Sequence, residues 1–125
     1  MICLDTNYLI RGLVSESDEA VALIAWTQAG EILVTPSVAW YEFLCGPVTQ
    51  EQVNIVRAFL REVVPFDGEQ AVEAARLFNA AGRSRRTRVD AIIASAAIVL
   101  GASLATDNRA DFEVFVEYGL DLTDD

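Results

Sequence analysis

The chain has 125 residues, of which 53% are hydrophobic, and its 9 basic and 19 acidic residues give a net charge of −10. This composition predicts a single domain, residues 1–125, with a packed core, and excludes a disordered chain. The sequence contains no histidine and no lysine, which excludes histidine general bases, Ser-His-Asp and Cys-His nucleophiles, Schiff-base lysines and the lysine of phosphate-binding loops.

Strand and helix patterns alternate along the chain. In the first half of the chain they predict strands at 1–4 and 32–34, a helix at 17–28 and a helix from 37 to the stop at Gly46. A helix capped by Thr49 and reaching 62, a strand at 63–66 and a helix capped by Asp67 and reaching 81 follow. The last part is predicted to contain an arginine-rich loop at 82–88, a helix at 89–100, a strand at 103–105 and a weak strand at 120–122. This alternation predicts an α/β fold with a central, mostly parallel sheet of four to five strands and helices on both faces.

The apolar runs and the N-terminus indicate a soluble, cytoplasmic protein. No apolar run approaches the ~18 residues of a membrane span, and the N-terminal segment reaches Asp5 without a basic stretch, so we expect neither a membrane partner nor a signal peptide. Cys3 and Cys45 lack the spacing of a metal site and lie in apolar runs. We expect both cysteines to be buried.

Four acidic residues lie where a parallel α/β sheet forms its sites. Asp5 and Asp107 directly follow predicted strands, with Thr6, Asn7 and Asn108 suiting turns behind them, and ligands bind outside the carboxyl ends of such strands. Asp90 begins an alanine-rich helix, and Glu42 lies among aromatic residues of an apolar helix where a charge needs a partner.

Each of these acids alone has an ordinary explanation as a cap, a helix-dipole partner or a turn residue. Together they favour one shared site. Two carboxylates about 5 Å apart repel by about 3 kcal/mol at an effective dielectric constant near 20. Without lysine, divalent cations are the natural counter-charge, and oxygen ligands favour Mg²⁺ or Mn²⁺. Such ions support phosphodiester cleavage by an activated water.

The pattern resembles the PIN-domain ribonucleases, and within them the VapC-type toxins of bacterial toxin–antitoxin pairs. The matching segments are 4–7 with Leu9 and Ile10, Glu42 on its short helix, 90–94, and 104–108 with Asp111 and Phe112. The resemblance implies a three-layer α/β/α fold, Mg²⁺- or Mn²⁺-dependent cleavage of RNA such as transfer or ribosomal RNA, homodimerisation and inhibition by a cognate antitoxin. It also implies roles for particular residues: Asp5, Glu42, Asp90 and Asp107 as catalytic metal ligands, with Thr6, Asn7, Thr106 and Asp111 in support.

An arginine cluster precedes Asp90. Arg83, Arg85, Arg86 and Arg88 place four of the nine basic residues within six positions, which predicts a local basic lip for RNA on an otherwise acidic protein. A solvated loop, or a contact with the antitoxin or a second subunit, remains open for this cluster.

Other functions fit the acids less well. A haloacid-dehalogenase-like phosphatase needs a second aspartate where the chain has Asn7, and both it and a response-regulator receiver need a lysine. A structure-specific DNA nuclease uses similar carboxylates, but the short chain leaves little room for DNA-holding elements. A PIN-like RNA- or protein-binding module without catalytic activity is the non-enzymatic alternative.

Overall fold

The computed structural model describes residues 1–124 and contains one four-stranded sheet. Its strands are β1 (Ile2–Leu4), β2 (Leu33–Pro36), β3 (Glu62–Val64) and β4 (Ser103–Ala105). The order across the sheet is β3-β2-β1-β4, and all three strand pairs are parallel. The predicted α/β class with a parallel sheet is confirmed. The prediction of a strand at 120–122 is wrong, because only an isolated bridge joins Leu122 to Leu104.

Seven α-helices connect and flank the strands in the part of the chain that the structure describes. They are α1 (Thr6–Arg11), α2 (Asp18–Gln28), α3 (Ser37–Leu44), α4 (Gln50–Phe59), α5 (Gly68–Ala80), α6 (Arg88–Leu100) and α7 (Arg109–Phe112), with 3-10 turns at Arg85–Thr87 and Glu113–Tyr118. Within residues 1–124, every helix is too short or too polar to span a bilayer.

The local start and stop signals explain most of these bounds. Thr49 forms a capping box with Gln52, the Asp67 side chain accepts from the Gln70 N–H, and Gly101 ends α6 in the left-handed region at φ 66°. Each of these groups satisfies backbone donors or carbonyls that a helix end leaves without partners.

Two elements differ from the sequence prediction. Helix α1 begins at Thr6 and Asn7, for which the sequence predicts a turn, and the Asp5 side chain caps it by accepting from the Thr6 N–H. Helix α4 ends at Phe59 rather than at 62, because the chain becomes extended at Leu60 and the Arg61 N–H donates to the Leu33 carbonyl. Strand β3 therefore begins one residue early, at Glu62.

The core has two halves, one on each face of the sheet. Side chains of β1 alternate between them, since Cys3 belongs to one half while Ile2 and Leu4 belong to the other. Buried residues of α5 and α6 pack with Cys3, and those of α1 to α4 pack with Leu4. This gives the three layers expected of the fold.

The apolar helix α3 contributes unequally to this core. Phe43 is fully buried and Trp40 is nearly so, whereas Tyr41 is 66% exposed. Cys45, which follows the helix, is exposed as well, so the expectation that both cysteines are buried is right for Cys3 and wrong for Cys45. A continuous apolar run in the sequence does not reveal which residues of a short helix face outward.

Candidate metal centre

Asp5 lies at the carboxyl edge of the sheet and is 4% exposed. Its carboxylate accepts from the Thr6 N–H (2.8 Å), from the Thr106 hydroxyl (2.8 Å) and from the Asn7 amide (3.5 Å). Burial raises the pKa of Asp5, and these three hydrogen bonds oppose the rise because they favour the ionised form. The carboxylate is thus held in one orientation by its neighbours.

Glu42 reaches the same place from α3. The Thr6 hydroxyl donates to its Oε1 atom at 3.1 Å, so one residue of α1 connects the main chain beside Asp5 to the Glu42 side chain. Glu42 itself is exposed, which corrects the picture of a charge enclosed by aromatic residues. Its outward position leaves carboxylate oxygens available to a ligand from solvent.

Asp90 lies in the first turn of α6, as predicted, and is half-buried. Its pKa is raised to about 6, first by burial and then by the negative charges of Asp111, Asp5 and Glu42. These three neighbours carry the same negative charge as ionised Asp90 and repel it. A cation would relieve this repulsion.

Asp107 feels the charge of Asp5, as Asp90 does, but its other charged neighbours differ. Its backbone N–H donates to the Asn7 side-chain oxygen at 3.0 Å, and its side chain is exposed. Partial burial and then the charge of Glu19 raise the pKa of Asp107, while Arg11 opposes the rise. Asp107 is therefore joined to Asp5 through Asn7, whose amide nitrogen donates to the Asp5 carboxylate.

Two cavities of about 280 Å³ each meet at Asp90. The first is lined by Asp5, Thr6, Asn7, Glu42, Asp90 and Asn108, together with apolar side chains. The second is lined by Asp90, Asp111, Ser84, Arg86 and Thr87. Asp107 lines neither of these two cavities. The structure thus brings Asp5, Glu42 and Asp90 together, with Asp111 beside Asp90.

The donor set at this edge consists of oxygen atoms, since the chain has no histidine, and that chemistry fits a hard divalent cation. Among residues 1–124, no three acidic or thiol side chains stand close enough to enclose an ion. Mg²⁺ does not need such a cage, because it keeps several waters and usually takes one or two carboxylates. The arrangement fits a hydrated Mg²⁺ or Mn²⁺ better than a fully coordinated structural metal.

The arginine cluster divides into two pairs. The guanidinium groups of Arg83 and Arg88 lie 5.7 and 5.4 Å from the centre of the Phe78 ring. Arg85 and Arg86 belong to the exposed 3-10 turn, and Arg86 lines the second cavity. This division could not be predicted from the sequence of the loop, because Phe78 lies in the preceding helix.

One charged pair near the site was missed from the sequence. The Arg11 Nε donates to a buried carboxylate oxygen of Glu19 at 2.6 Å. A signal was present in α2, where Glu19 shares a helical face with buried Leu23, four residues later, and half-buried Trp26. An acid on the apolar face of a helix predicts a partner inside the protein.

The chain is similar to one protein family and to several solved structures. A family model described as "PIN domain" matches residues 2–116. No significant match was found among curated proteins. Similar solved structures include VapBC2 from Rickettsia felis bound to a promoter DNA fragment (TM-score 0.74, 19% identity, 98% of each chain covered), FitAcB from Neisseria gonorrhoeae (0.74, 19%, 99% of this chain and 97% of that one) and a toxin–antitoxin complex from Klebsiella pneumoniae (0.71, 24%, 90% of each).

Proposed function

The chain belongs to the PIN domain family, and from that premise we propose that it is a divalent-metal-dependent endoribonuclease, the toxin of a VapC-type toxin–antitoxin pair. One observation carries the proposal: Asp5, Glu42 and Asp90 line a single open cavity at the carboxyl edge of the sheet. Asp111, Asp5 and Glu42 all place negative charge near Asp90. The cavity is therefore suited to a cation and to a substrate that arrives with one.

Mg²⁺ or Mn²⁺ is the proposed cofactor, held by Asp5, Glu42 and Asp90. Asp111 is better placed than Asp107 to be the fourth acid, since it shares the second cavity with Asp90. Asp107 is proposed as a further acid of the metal centre, because its carboxylate feels the charge of Asp5 and its backbone N–H binds the same Asn7 side chain that donates to Asp5.

The chemistry is hydrolysis of a phosphodiester bond. When bound, the ion supplies an activated water and offsets charge on the leaving oxygen. Thr106 and the Thr6 N–H fix the Asp5 carboxylate, and the Thr6 hydroxyl orients Glu42. These side chains keep the oxygen ligands in place before the substrate arrives, which lowers the reorganisation that the reaction requires.

RNA is the proposed substrate, with transfer or ribosomal RNA as the expected class. We propose that the RNA strand continues from the acids into the second cavity, because Arg86 lines that cavity together with Asp90. Arg85 and Arg86 are the cluster members proposed to contact phosphate, whereas Arg83 and Arg88 lie against Phe78. The net charge of −10 makes local arginines necessary for such contacts.

An antitoxin is the proposed protein partner. An apolar groove lined by Ile10, Leu13, Val14 and Val48 runs beside the acidic cavity, and Ile10 lines both. A partner segment that places apolar side chains in this groove and a basic side chain among the acids would match both surfaces. Co-purification with a co-expressed candidate antitoxin, using Val14→Asp to weaken the complex, tests this partner.

A homodimer is also proposed, and α3 offers a surface for it. Tyr41 and Leu44 are 66% and 45% exposed on this short helix, and exposed apolar side chains that lie together indicate an interface. Light scattering of the purified protein should report a dimer that Tyr41→Glu dissociates. A wild-type monomer at micromolar concentration would contradict it.

The decisive experiment compares wild type with Asp90→Asn on RNA and on single-stranded DNA, in Mg²⁺, in Mn²⁺ and in EDTA. We expect RNA cleavage that depends on the ion and is lost in the variant, with DNA left intact. Mapping of new RNA 5′ ends after induced expression of both proteins locates the cleavage sites.

The other outcomes separate the alternatives. Cleavage of DNA instead of RNA would indicate a structure-specific DNA nuclease. RNA binding without cleavage in either metal would indicate a binding module. Titration of Mg²⁺ against Trp fluorescence, with Asp5→Asn as the control, reports ion binding independently of catalysis.

A further inference from the structure

We propose that Arg11 contacts a phosphate of the RNA beside the metal centre, and that buried Glu19 is the positioning residue that holds it there. The inference deepens the proposed function and rests on it for the substrate. Arg11 is the last residue of α1, and Glu19 lies in the first turn of α2. Neither residue belongs to the acidic set or to the arginine cluster.

Hydrogen bonds fix both the side chain and the backbone of Arg11. Its Nε donates to Glu19 at 2.6 Å, and its backbone carbonyl accepts from the Ser17 hydroxyl at 2.7 Å. Ser17 also caps α2 by accepting from the Ala20 N–H. The Glu19 side chain is 7% exposed and the Arg11 side chain 53%. A long side chain with a buried anchor and an exposed end loses less entropy on binding than a free one.

The helix geometry directs Arg11 towards the site. Asn7 and Arg11 are four residues apart in α1 and therefore share a helix face. On that face, Asn7 donates to Asp5 and accepts from the Asp107 N–H. The charges of Arg11 and Glu19 both act on the Asp107 carboxylate. The guanidinium group thus lies at the Asp107 side of the metal centre.

The remaining donors of Arg11 suit a phosphate. Glu19 accepts from Nε, and the two Nη groups carry the other four N–H donors of a guanidinium. Two such donors can bind phosphate oxygens in parallel. Arg86 lies in the second cavity, which Asp111 lines. Arg11 near Asp107 and Arg86 in the cavity with Asp111 are therefore the two guanidinium groups proposed to bind phosphates of an RNA strand at the metal centre.

The test uses the full chain with three substitutions at the pair and one elsewhere. Arg11→Gln removes the charge, Arg11→Lys keeps it, and Glu19→Gln weakens the anchor. Arg76→Gln is the matched control, because Arg76 pairs with Glu73 on α5 and its side chain is 48% exposed. Melting temperature and Mg²⁺ titration report whether each variant folds and binds the ion.

Two measurements carry the result. For cleavage of a mixed-sequence single-stranded RNA in Mg²⁺, Arg11→Gln should raise KM about tenfold with little change in kcat. For binding of the same RNA in EDTA, measured by fluorescence anisotropy over a salt series, its salt slope should fall by about 0.7, the value for one lost phosphate contact. Arg11→Lys should restore the slope, Glu19→Gln should raise KM by less than Arg11→Gln does, and Arg76→Gln should match wild type.

The inference is overturned if Arg11→Gln lowers the melting temperature while KM and the salt slope stay at wild-type values, since the pair would then only join α1 to α2. An equal effect of Arg76→Gln would overturn it too, because any surface arginine would then suffice. If wild type binds RNA but never cleaves it, the proposed nuclease fails while the binding series still decides the role of Arg11. If wild type neither cleaves RNA in Mg²⁺ nor binds it in EDTA, both fail.

Discussion

The Thr106 hydroxyl donates to the Asp5 carboxylate at 2.8 Å, although 101 positions separate the two residues in the chain. The sheet explains the meeting: Leu4 pairs in parallel with Ala105, so the residues that follow them emerge at the same edge. The same hydroxyl accepts from the Asn108 N–H at 3.0 Å. Thr106 therefore holds both the buried acid and the turn behind β4.

Thr106→Val should destabilise the protein by about 1–3 kcal/mol at neutral pH, because a buried hydrogen bond to an ionised group is lost. The bond favours ionised Asp5 and lowers its pKa, so the variant should raise that pKa further. The loss should then be largest at neutral pH and shrink on acidification. Urea denaturation at several pH values measures it. Thr27→Val, which removes a hydroxyl bond within α2, is the control, and equal losses in both variants would contradict the special role of Thr106.

Asp90→Asn should stabilise the metal-free protein at pH 7. The pKa of Asp90 is raised from 3.8 to about 6, so folding favours its protonated form, and stability rises as the pH falls from above 6 towards 4. A shift of this size corresponds to about 3 kcal/mol for a fully buried group, which solvent screening at this half-buried carboxyl reduces to about 1 kcal/mol.

Calorimetry in EDTA and in Mg²⁺ checks this prediction and its sign. In EDTA, the variant should be the more stable protein at pH 7 and should match wild type near pH 4. In Mg²⁺, wild type should gain about 2.7 kcal/mol at a free ion concentration of one hundred times its Kd, and the variant should gain less. A variant that is less stable than wild type in EDTA at pH 7 would show that Asp90 is not under repulsion.

Much of the site follows from the order of the elements in the sequence. Asp5 and Asp107 could be placed at one edge because the carboxyl ends of parallel strands lie together, and the first turn of α6 delivers Asp90 to that edge. The side to which each acid turns could not be predicted. That depends on the Asn7 bond to the Asp107 backbone and on α7, a helix of four residues without a recognisable period.

Helix α1 shows why the remaining elements were harder to predict. It has six residues and only Leu9 among them is buried, so no apolar periodicity marks it, and its cap is the same Asp5 that the site uses. The burial of Glu19 depends on contact with Arg11 from another helix. Contacts between elements decide both features, and single-sequence patterns record only contacts within one element.

Asp111→Asn should lower the pKa of Asp90, and Asp107→Asn should leave it unchanged. Among the charged neighbours of Asp90, Asp111 raises its pKa the most. The charges that act on Asp107 are those of Glu19, Arg11, Asp5 and Asp18. Carbon-detected NMR titration of the side-chain carboxyl groups in EDTA measures both variants. If Asp107→Asn produces the larger change, Asp107 rather than Asp111 is the neighbour of Asp90.

The two halves of the arginine cluster should separate stability from RNA binding. Because Arg83 and Arg88 lie over the Phe78 ring, Arg88→Gln should lower the free energy of unfolding by about 0.5–1 kcal/mol and leave RNA binding nearly unchanged.

Arg85 and Arg86 lie on the exposed turn, and Arg86 lines the cavity beside Asp90. Neutralising both should therefore reduce the salt slope of RNA binding by about 1.4, twice the single-strand value, while the melting temperature and the Mg²⁺ titration stay at wild-type values. Cleavage by this double variant that equals wild type across the salt series would assign the turn to solvent or to a protein partner, and the RNA would then have to leave the acids along another path.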